Sequence, residues 1–121
     1  MARITDINLS HGFSGSNVLL IINITIEFQA HETSSNWSLL MTVIPNNQRP
    51  DDDEELYTFG RSFQSTDIIQ TITFTETISK REVESQWQRQ KIYLNVAVIP
   101  LQEASSFISA TAKTNLILIR V

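Results

Sequence analysis

The sequence predicts an all-β protein, a two-sheet antiparallel sandwich of about seven strands with a short helical turn near residues 79–90. Two observations point to this class. Residues 18–28 place an apolar side chain at every even position, which is the period of two of a half-buried strand. Other short runs of the same kind recur between turn-rich segments, and the helical crossovers of a βαβ fold are missing, so antiparallel pairing is favoured.

Composition limits the domain count, the partners and the compartment. The 121 residues predict one domain, 1–121, with a single core. Without cysteine there is no disulfide, zinc thiolate site or cysteine nucleophile, which fits a reducing compartment. A net charge of -4 and nine scattered Lys and Arg make a nucleic-acid partner unexpected. No signal sequence follows Met1 and no apolar run reaches the length of a membrane span, so we expect a cytoplasmic protein without a membrane partner.

The first predicted strand covers residues 2–10. The change of parity between Ile4 and Ile7 indicates a bulge or a switch of sheet in this strand. Residues 11–17 are expected to form a loop, because two glycines can take positive φ there and the serines can bond their own backbone.

The strand over 18–28 is expected to organise the fold. Its inward face is Val18, Leu20, Ile22, Ile24, Ile26 and Phe28. A polar turn at 30–36 leads to a third strand over 37–44, whose two faces are both partly apolar, as in a central strand. Pro45 ends this strand because proline cannot donate a ladder hydrogen bond.

The middle of the chain is predicted to contain a loop over 46–55 and two strands. The first, over 56–63, is interrupted at Gly60. The second, over 67–78, lines one face with threonines at 71, 73, 75 and 77, the ordinary residues of a solvated strand face.

A short helix is predicted over 79–90. This segment lacks alternation and opens with a Ser79-x-x-Glu82 capping-box pattern. It is too short and polar to be stable alone, so Val83 and Trp87 must fix it to the sandwich. A sixth strand over 91–99 follows, and a last strand runs from 106 to the end.

This strand pattern resembles the immunoglobulin or fibronectin type III superfold, with Trp37 in the third strand and the run Tyr93–Val98 in the sixth. The resemblance implies that strands one, two and five form one sheet and strands three, six and seven the other. Asn95 stands where an immunoglobulin domain has its second cysteine, and the first is also missing. The likeness therefore implies a fold and no function. The expected core joins the inward face of 18–28 with Trp37, Leu39, Met41, Ile72, Phe74, Leu94 and Val96.

The residues that catalysis would need are too dispersed, so we expect no enzyme and no cofactor. His11 and His31 are the only histidines, and about eleven strand residues at roughly 3.3 Å each separate them by more than about 30 Å. Glu27 and Glu76 fall on opposite sheet faces by parity and cannot act as a carboxylate pair. No nucleophile elbow is present.

The acidic run at 51–55 and the threonine row leave one alternative function, a Ca²⁺-binding or glycan-binding sandwich. Calcium needs six to eight oxygens, but consecutive carboxylates repel and extend into water. We therefore favour a solvated loop over a metal site.

The leading hypothesis is a non-catalytic protein-interaction or assembly module that self-associates as a homodimer. The outer face of the sheet containing strands three, six and seven is too apolar for solvent. Its predicted interface residues are Leu40, Ile44, Tyr93, Ala97, Ile99, Ile117 and Ile119, with Leu116 and Leu118 replacing the last two if the register differs. The competing interpretation is that the 79–90 segment or the loop before the last strand covers this face.

Overall fold

A computed structural model describes residues 2–45, 57–87, 91–101 and 110–119, with the side chains of 85–87 excepted. The described residues contain eight strands, one α-helix and one 3-10 turn. The strands are β1 (Arg3–Ser14), β2 (Asn17–Glu27), β3 (Asn36–Pro45), β4 (Thr58–Gln64), β5 (Ile69–Ser79), β6 (Lys91–Pro100), β7 (Ala110–Lys113) and β8 (Ile117–Leu118). The helix α1 spans Lys80–Trp87 and the 3-10 turn spans Ala30–Glu32.

The strands form the predicted two-sheet antiparallel sandwich. The first sheet has the order β1-β2-β5, and the second has the order β4-β3-β6-β7 with β8 also paired to β6. This division of strands matches the immunoglobulin and fibronectin type III likeness. The fourth strand pairs with the third and forms one edge of the second sheet.

The hairpin between β1 and β2 is tighter than predicted. Pairing continues to Ser14 and Asn17, so only two residues form the turn instead of a loop over 11–17. Gly15 has a φ of +58°, and this glycine at the first central position is what a type II′ hairpin turn requires. The bulge in the first strand is confirmed, because the register shifts between Ile4 and Asp6.

The core lies between the two sheets and confirms the predicted inward face of β2. All six even residues from Val18 to Phe28 are buried, and the Phe28 ring packs 5.2 Å from the ring of Trp37. Ile72 and Phe74 lie on edge strand β5 and are only partly buried against this core. The edge position explains the difference, since one flank of β5 has no neighbouring strand in the described residues.

Helix α1 closes one end of the sandwich. The Ser79 hydroxyl accepts a hydrogen bond from the Glu82 backbone N–H at 3.2 Å, as the capping pattern predicted. Val83 is fully buried and anchors the helix, whereas the side chain of Trp87 lies outside the described part of the chain. None of the described helices is long and apolar enough to cross a bilayer.

A buried serine ties together the chain segments at the opposite end. The Ser65 hydroxyl accepts hydrogen bonds from the Trp37 indole N–H and from the Ser35 backbone N–H, both at 3.1 Å. It also donates to the Glu32 carbonyl at 2.6 Å. One hydroxyl thus satisfies the indole N–H of a core tryptophan and two backbone groups of the segment that precedes it.

The predicted last strand is broken into β7 and β8 by Thr114 and Asn115. The Thr114 hydroxyl accepts from the Leu94 backbone N–H at 2.8 Å, which holds the segment to β6. The Asn115 amide accepts from the Leu9 backbone N–H at 2.8 Å and donates to the Leu9 carbonyl at 3.0 Å. The Asn115 side chain therefore links the second sheet to the edge of the first at this point.

Candidate functional site

The outer face of the second sheet, called here the interaction face, is formed by alternate residues of β4, β3, β6, β7 and β8. One end of it is apolar. In the ladder between β3 and β6, Leu40 lies opposite Ala97 and Ser38 lies opposite Ile99. Leu40 is 38% exposed and Leu101, just past the end of β6, is 51% exposed. Gly60 lies on the other side of Leu40 and leaves its side chain uncovered.

The other end of the interaction face is also apolar. Ile44 lies opposite Tyr93, and both are half-buried. The Lys113 ammonium stands 5.7 Å from the centre of the Tyr93 ring, in the range of a cation–π contact. Leu118 lies opposite Lys91 at the margin of this end.

A polar row separates the two apolar ends. This row was not predicted from the sequence. Thr58 pairs with Thr42, Thr42 pairs with Asn95, and Asn95 pairs with Lys113. The predicted continuous apolar patch is therefore two apolar patches on either side of a hydrogen-bonding row.

The prediction that Ile117 and Ile119 lie on the outer face is wrong. Ile117 pairs with the fully buried Ile92 and packs against the core, and Ile119 is only 4% exposed. Their side chains point between the sheets, so the register leaves Leu116, which is 45% exposed, and Leu118, which is half-buried, as the outward alternatives. The other five predicted residues, Leu40, Ile44, Tyr93, Ala97 and Ile99, lie on the outer face.

Helix α1 does not cover the interaction face. It packs against β2 and β5, which belong to the first sheet, and its Val83 side chain enters the core. The described part of the 79–90 segment therefore does not cover this face, and residues 88–90 lie outside the described residues. The loop before the last strand lies outside the described residues.

The charge of the two outer faces differs. Among the described residues, the interaction face carries Lys91 and Lys113 and no carboxylate. The outer face of the first sheet instead carries the threonine row and an ion pair in which the Arg3 guanidinium lies 2.9 Å from the Glu27 carboxylate. Among the described residues, the interaction face is therefore an apolar and weakly basic surface.

The residues weighed for catalysis and metal binding are apart in the structure. His11 lies in β1 opposite Leu20, not in a loop, and His31 lies in the 3-10 turn. Glu27 and Glu76 are on opposite faces, as their parity predicted, and Glu76 pairs with Arg61 across the open side of the sandwich. The described residues contain no cluster of three His, Cys, Asp or Glu side chains suited to a metal. The acidic run 51–55 lies outside them.

A shallow hollow borders the end of the interaction face that contains Leu40 and Leu101. It has a volume of about 510 Å³ and lies between the ends of β3 and β4, with Asn36, Ser62, Gln64 and Leu101 in its wall. It is open to solvent and holds no charged side chain among its lining residues.

Comparison with solved structures supports the fold. The chain is similar to a part of a β-D-mannosidase from Dictyoglomus thermophilum, with a TM-score of 0.60 and 13% identity, covering 93% of this chain and 13% of the enzyme. It is also similar to a part of a β-glucuronidase from glycoside hydrolase family 2, with a TM-score of 0.58 and 13% identity, covering 99% of this chain and 13% of that one. At this identity the likeness shows a β-sandwich fold and nothing of an activity.

Comparisons of the sequence add no family. No family model matches the chain, and no curated protein matches it. The chain spans about an eighth of the length of the two enzymes that it resembles.

Two features of the interaction face were missed by sequence reasoning, although the sequence held a signal for one of them. Leu101 has the same parity as Ile99, but proline commonly ends a strand, so the predicted sixth strand stops before Pro100. The structure continues β6 through Pro100, and the Leu101 N–H donates to the Asn36 carbonyl at 3.0 Å. The polar row needed the register between strands, which no single strand reveals.

The Tyr57 hydroxyl donates a hydrogen bond to the Glu82 carboxylate and joins the segment before β4 to helix α1. This hydrogen bond, with a smaller contribution from desolvation and from the charge of Glu82, raises the pKa of Tyr57. The folded state therefore favours the neutral phenol. The hydrogen bond between Tyr57 and Glu82 contributes fully to stability below the pKa of an unfolded tyrosine, about 10. This contribution is lost as the pH rises through the higher pKa of the folded state.

We expect Glu82→Ala to lower the pKa of Tyr57 toward about 10. The measurement is an absorbance titration of the phenolate in a Tyr93→Phe background, which leaves one tyrosine. Glu84→Ala, which removes an exposed carboxylate from the same helix, is the control and should leave the titration unchanged. Equal curves for the two variants would contradict the assigned hydrogen bond.

Proposed function

We propose that this chain is a non-catalytic protein-interaction module that self-associates as a two-fold homodimer through the interaction face. The observation that carries the proposal is the order of its rows. An apolar end with Leu40 and Ile99, a polar row with Thr42 and Asn95, and a second apolar end with Tyr93 follow one another along the strands. This order is the same from either end, so a copy turned around meets it with apolar against apolar and amide against hydroxyl.

The size of the face fits a modest interface. Its five strands contain 33 residues in all, and at roughly 3.3 Å of length and about 4.8 Å of width per residue they give a footprint of about 500 Å². A standard stable interface buries about 800 Å² per partner. We therefore infer a reversible dimer whose population depends on concentration.

The comparisons are compatible with this role. In the two similar enzymes, a sandwich of this shape makes up 13% of a much longer chain. A fold of this kind serves many unrelated functions, so the role rests on the face and not on the enzymes' activities. A chain without cysteine is suited to a reducing compartment, and we propose that the module acts in the cytoplasm.

The test is Leu40→Glu, which places a carboxylate in the centre of one apolar end. Its burial against a second copy without a partner charge should raise the dissociation constant at least about tenfold, or 1.4 kcal/mol. Sedimentation equilibrium from about 1 µM to about 1 mM covers the range expected for a weak interface. Circular dichroism checks that the fold is kept.

The matched control is Leu19→Glu. Leu19 lies on β2 with its side chain on the outer face of the first sheet, opposite Gly12 and Thr77. This variant makes the same chemical change on a central strand of the other sheet and should keep the wild-type association. Two results would overturn the homodimer. The wild type could be monomeric over the whole concentration range, or the Leu40→Glu and Leu19→Glu variants could lose association equally. A monomer that binds a different protein through Leu40 would replace it with a heterologous interaction.

A further inference from the structure

Among the described residues, strand β5 is a long sheet edge, and the direction of its outward backbone groups can be assigned. The Phe28 N–H donates to the Ile68 carbonyl at 2.6 Å, so even-numbered residues direct their backbone groups toward β2. The Arg61 guanidinium reaches the Thr75 carbonyl at 3.4 Å from the other side. The odd-numbered residues of β5 therefore present their N–H and C=O groups outward, since both groups of a strand residue point the same way.

Each of the other three described edges is shorter than β5 or has a side chain bonded to its backbone. At the edge of β1, the Asn115 side chain bonds both the N–H and the C=O of Leu9. In the second sheet, one edge is divided into β7 and β8, of four and two residues, and the other edge, β4, has seven residues. Edge β5 has eleven residues and contains neither proline nor lysine, the residues that commonly protect an edge. A strand of this kind is a template for pairing with another strand.

The sequence of β5 is nearly the same in both directions around Thr73. Thr71 corresponds to Thr75, Ile72 corresponds to Phe74, and Ile68 just before the strand corresponds to Ile78. An antiparallel pair of identical strands centred on Thr73 brings these positions together. We propose that a second copy of this chain pairs edge to edge with β5 about a two-fold axis at Thr73, which joins two three-stranded sheets into one of six strands.

The contacts of such a pair favour it on both faces. On the inner face, Ile72 of one copy lies beside Phe74 of the other, and both are only partly buried in a single chain. On the outer face, Thr71 of one copy lies beside Thr75 of the other, a favourable cross-strand combination. The contact that must be given up is that of Arg61 with Thr75, which is long at 3.4 Å, while Arg61 keeps its ion pair with Glu76.

This edge contact is separate from the interaction face, because β5 belongs to the first sheet and Leu40 to the second. The experiment is therefore done in the Leu40→Glu background as well as in the wild type. If the interaction face forms no dimer, pairing at the β5 edge can still be detected. If the β5 edge does not pair, a dimer through the interaction face can still be detected.

The test uses the absence of cysteine in the chain. Thr73→Cys places a thiol on the two-fold axis, where facing residues of a hydrogen-bonded antiparallel pair have Cα atoms about 5.5 Å apart, within disulfide range. The control is Asn23→Cys on the central strand β2, directly opposite Thr73 on the same face. Both variants lose the hydrogen bond between the Thr73 hydroxyl and the Asn23 amide, so they differ only in distance from the edge.

We expect the Thr73→Cys variant to form a disulfide-linked dimer at least about tenfold faster than the control under the same oxidant, because pairing raises the effective concentration of the second thiol. Equal rates for the two variants would overturn the proposal.

Amide hydrogen exchange of the unmodified chain gives a second result that needs no variant. Exchange at Thr71 and Thr73 should slow as the protein concentration rises, while exchange at Ile72, whose N–H faces β2, should not change. Fast exchange at Thr71 and Thr73 at all concentrations would count against edge pairing.

Discussion

Replacing Ile24 with alanine should lower the free energy of unfolding by about 2 to 5 kcal/mol. Ile24 is 0% exposed and lies at the middle of β2, between Ile7 on β1 and Ile72 on β5. Three strands hold their positions around it, so the cavity left by the lost side chain cannot close by a local shift. The effect is measured as the shift of the denaturant midpoint at constant slope.

The control for this substitution lies on the same strand. Ile21→Ala removes the same atoms from the outer face of β2, where Ser10 and Thr75 are its neighbours and the side chain is half-buried. We expect a loss of about 1 kcal/mol or less from this site. Equal losses from Ile24 and Ile21 would show that the inward and outward faces of β2 are misassigned.

Replacing Ser65 with alanine should cost about 2 kcal/mol or more, since the buried donors that it satisfies each cost about 1 to 3 kcal/mol when left unpaired. These donors are the Trp37 indole N–H and the Ser35 backbone N–H. The same denaturation experiment gives the loss in stability, and faster exchange of the indole proton of Trp37 identifies its cause.

Ser62→Ala is the control for the Ser65 substitution. Ser62 lies on β4, three residues before Ser65, but is exposed, so its hydroxyl can bond to water. A Ser65→Ala protein as stable as the Ser62→Ala protein would mean that the buried hydroxyl contributes nothing to the fold.

The parts of the fold that the sequence predicted are those with a strong local period. Strands β2, β3 and β6 alternate over ten or eleven residues, and their inward faces are buried as expected. Helix α1 was recognisable because its cap is local, with Ser79 and Glu82 three residues apart. Phe74 shows the limit of this reasoning, because alternation does not tell a central strand from an edge strand with a half-buried face.

The wrong predictions for Ile117 and Ile119 come from a change of register, relative to β6, between β7 and β8. Lys113 pairs with Asn95, and an uninterrupted strand would then pair Ile117 with Lys91 on the outer face. Instead Ile117 pairs with Ile92, one residue further along, which turns every later side chain to the opposite face. The slip occurs at Thr114 and Asn115, whose hydrogen-bond partners are Leu94 and Leu9, far away in sequence and therefore invisible to local patterns.

The bond between Leu9 and Asn115 also sets a time for folding in the cell. The two residues are 106 positions apart in sequence. At about 5 to 20 residues per second, a ribosome needs roughly 5 to 20 s to add that length of chain. During this interval the edge of β1 at Leu9 lacks the Asn115 amide that protects it in the finished protein. The nascent chain is thus most exposed to wrong strand pairing at this edge until Asn115 has emerged, and a chaperone that binds extended segments would act in that interval.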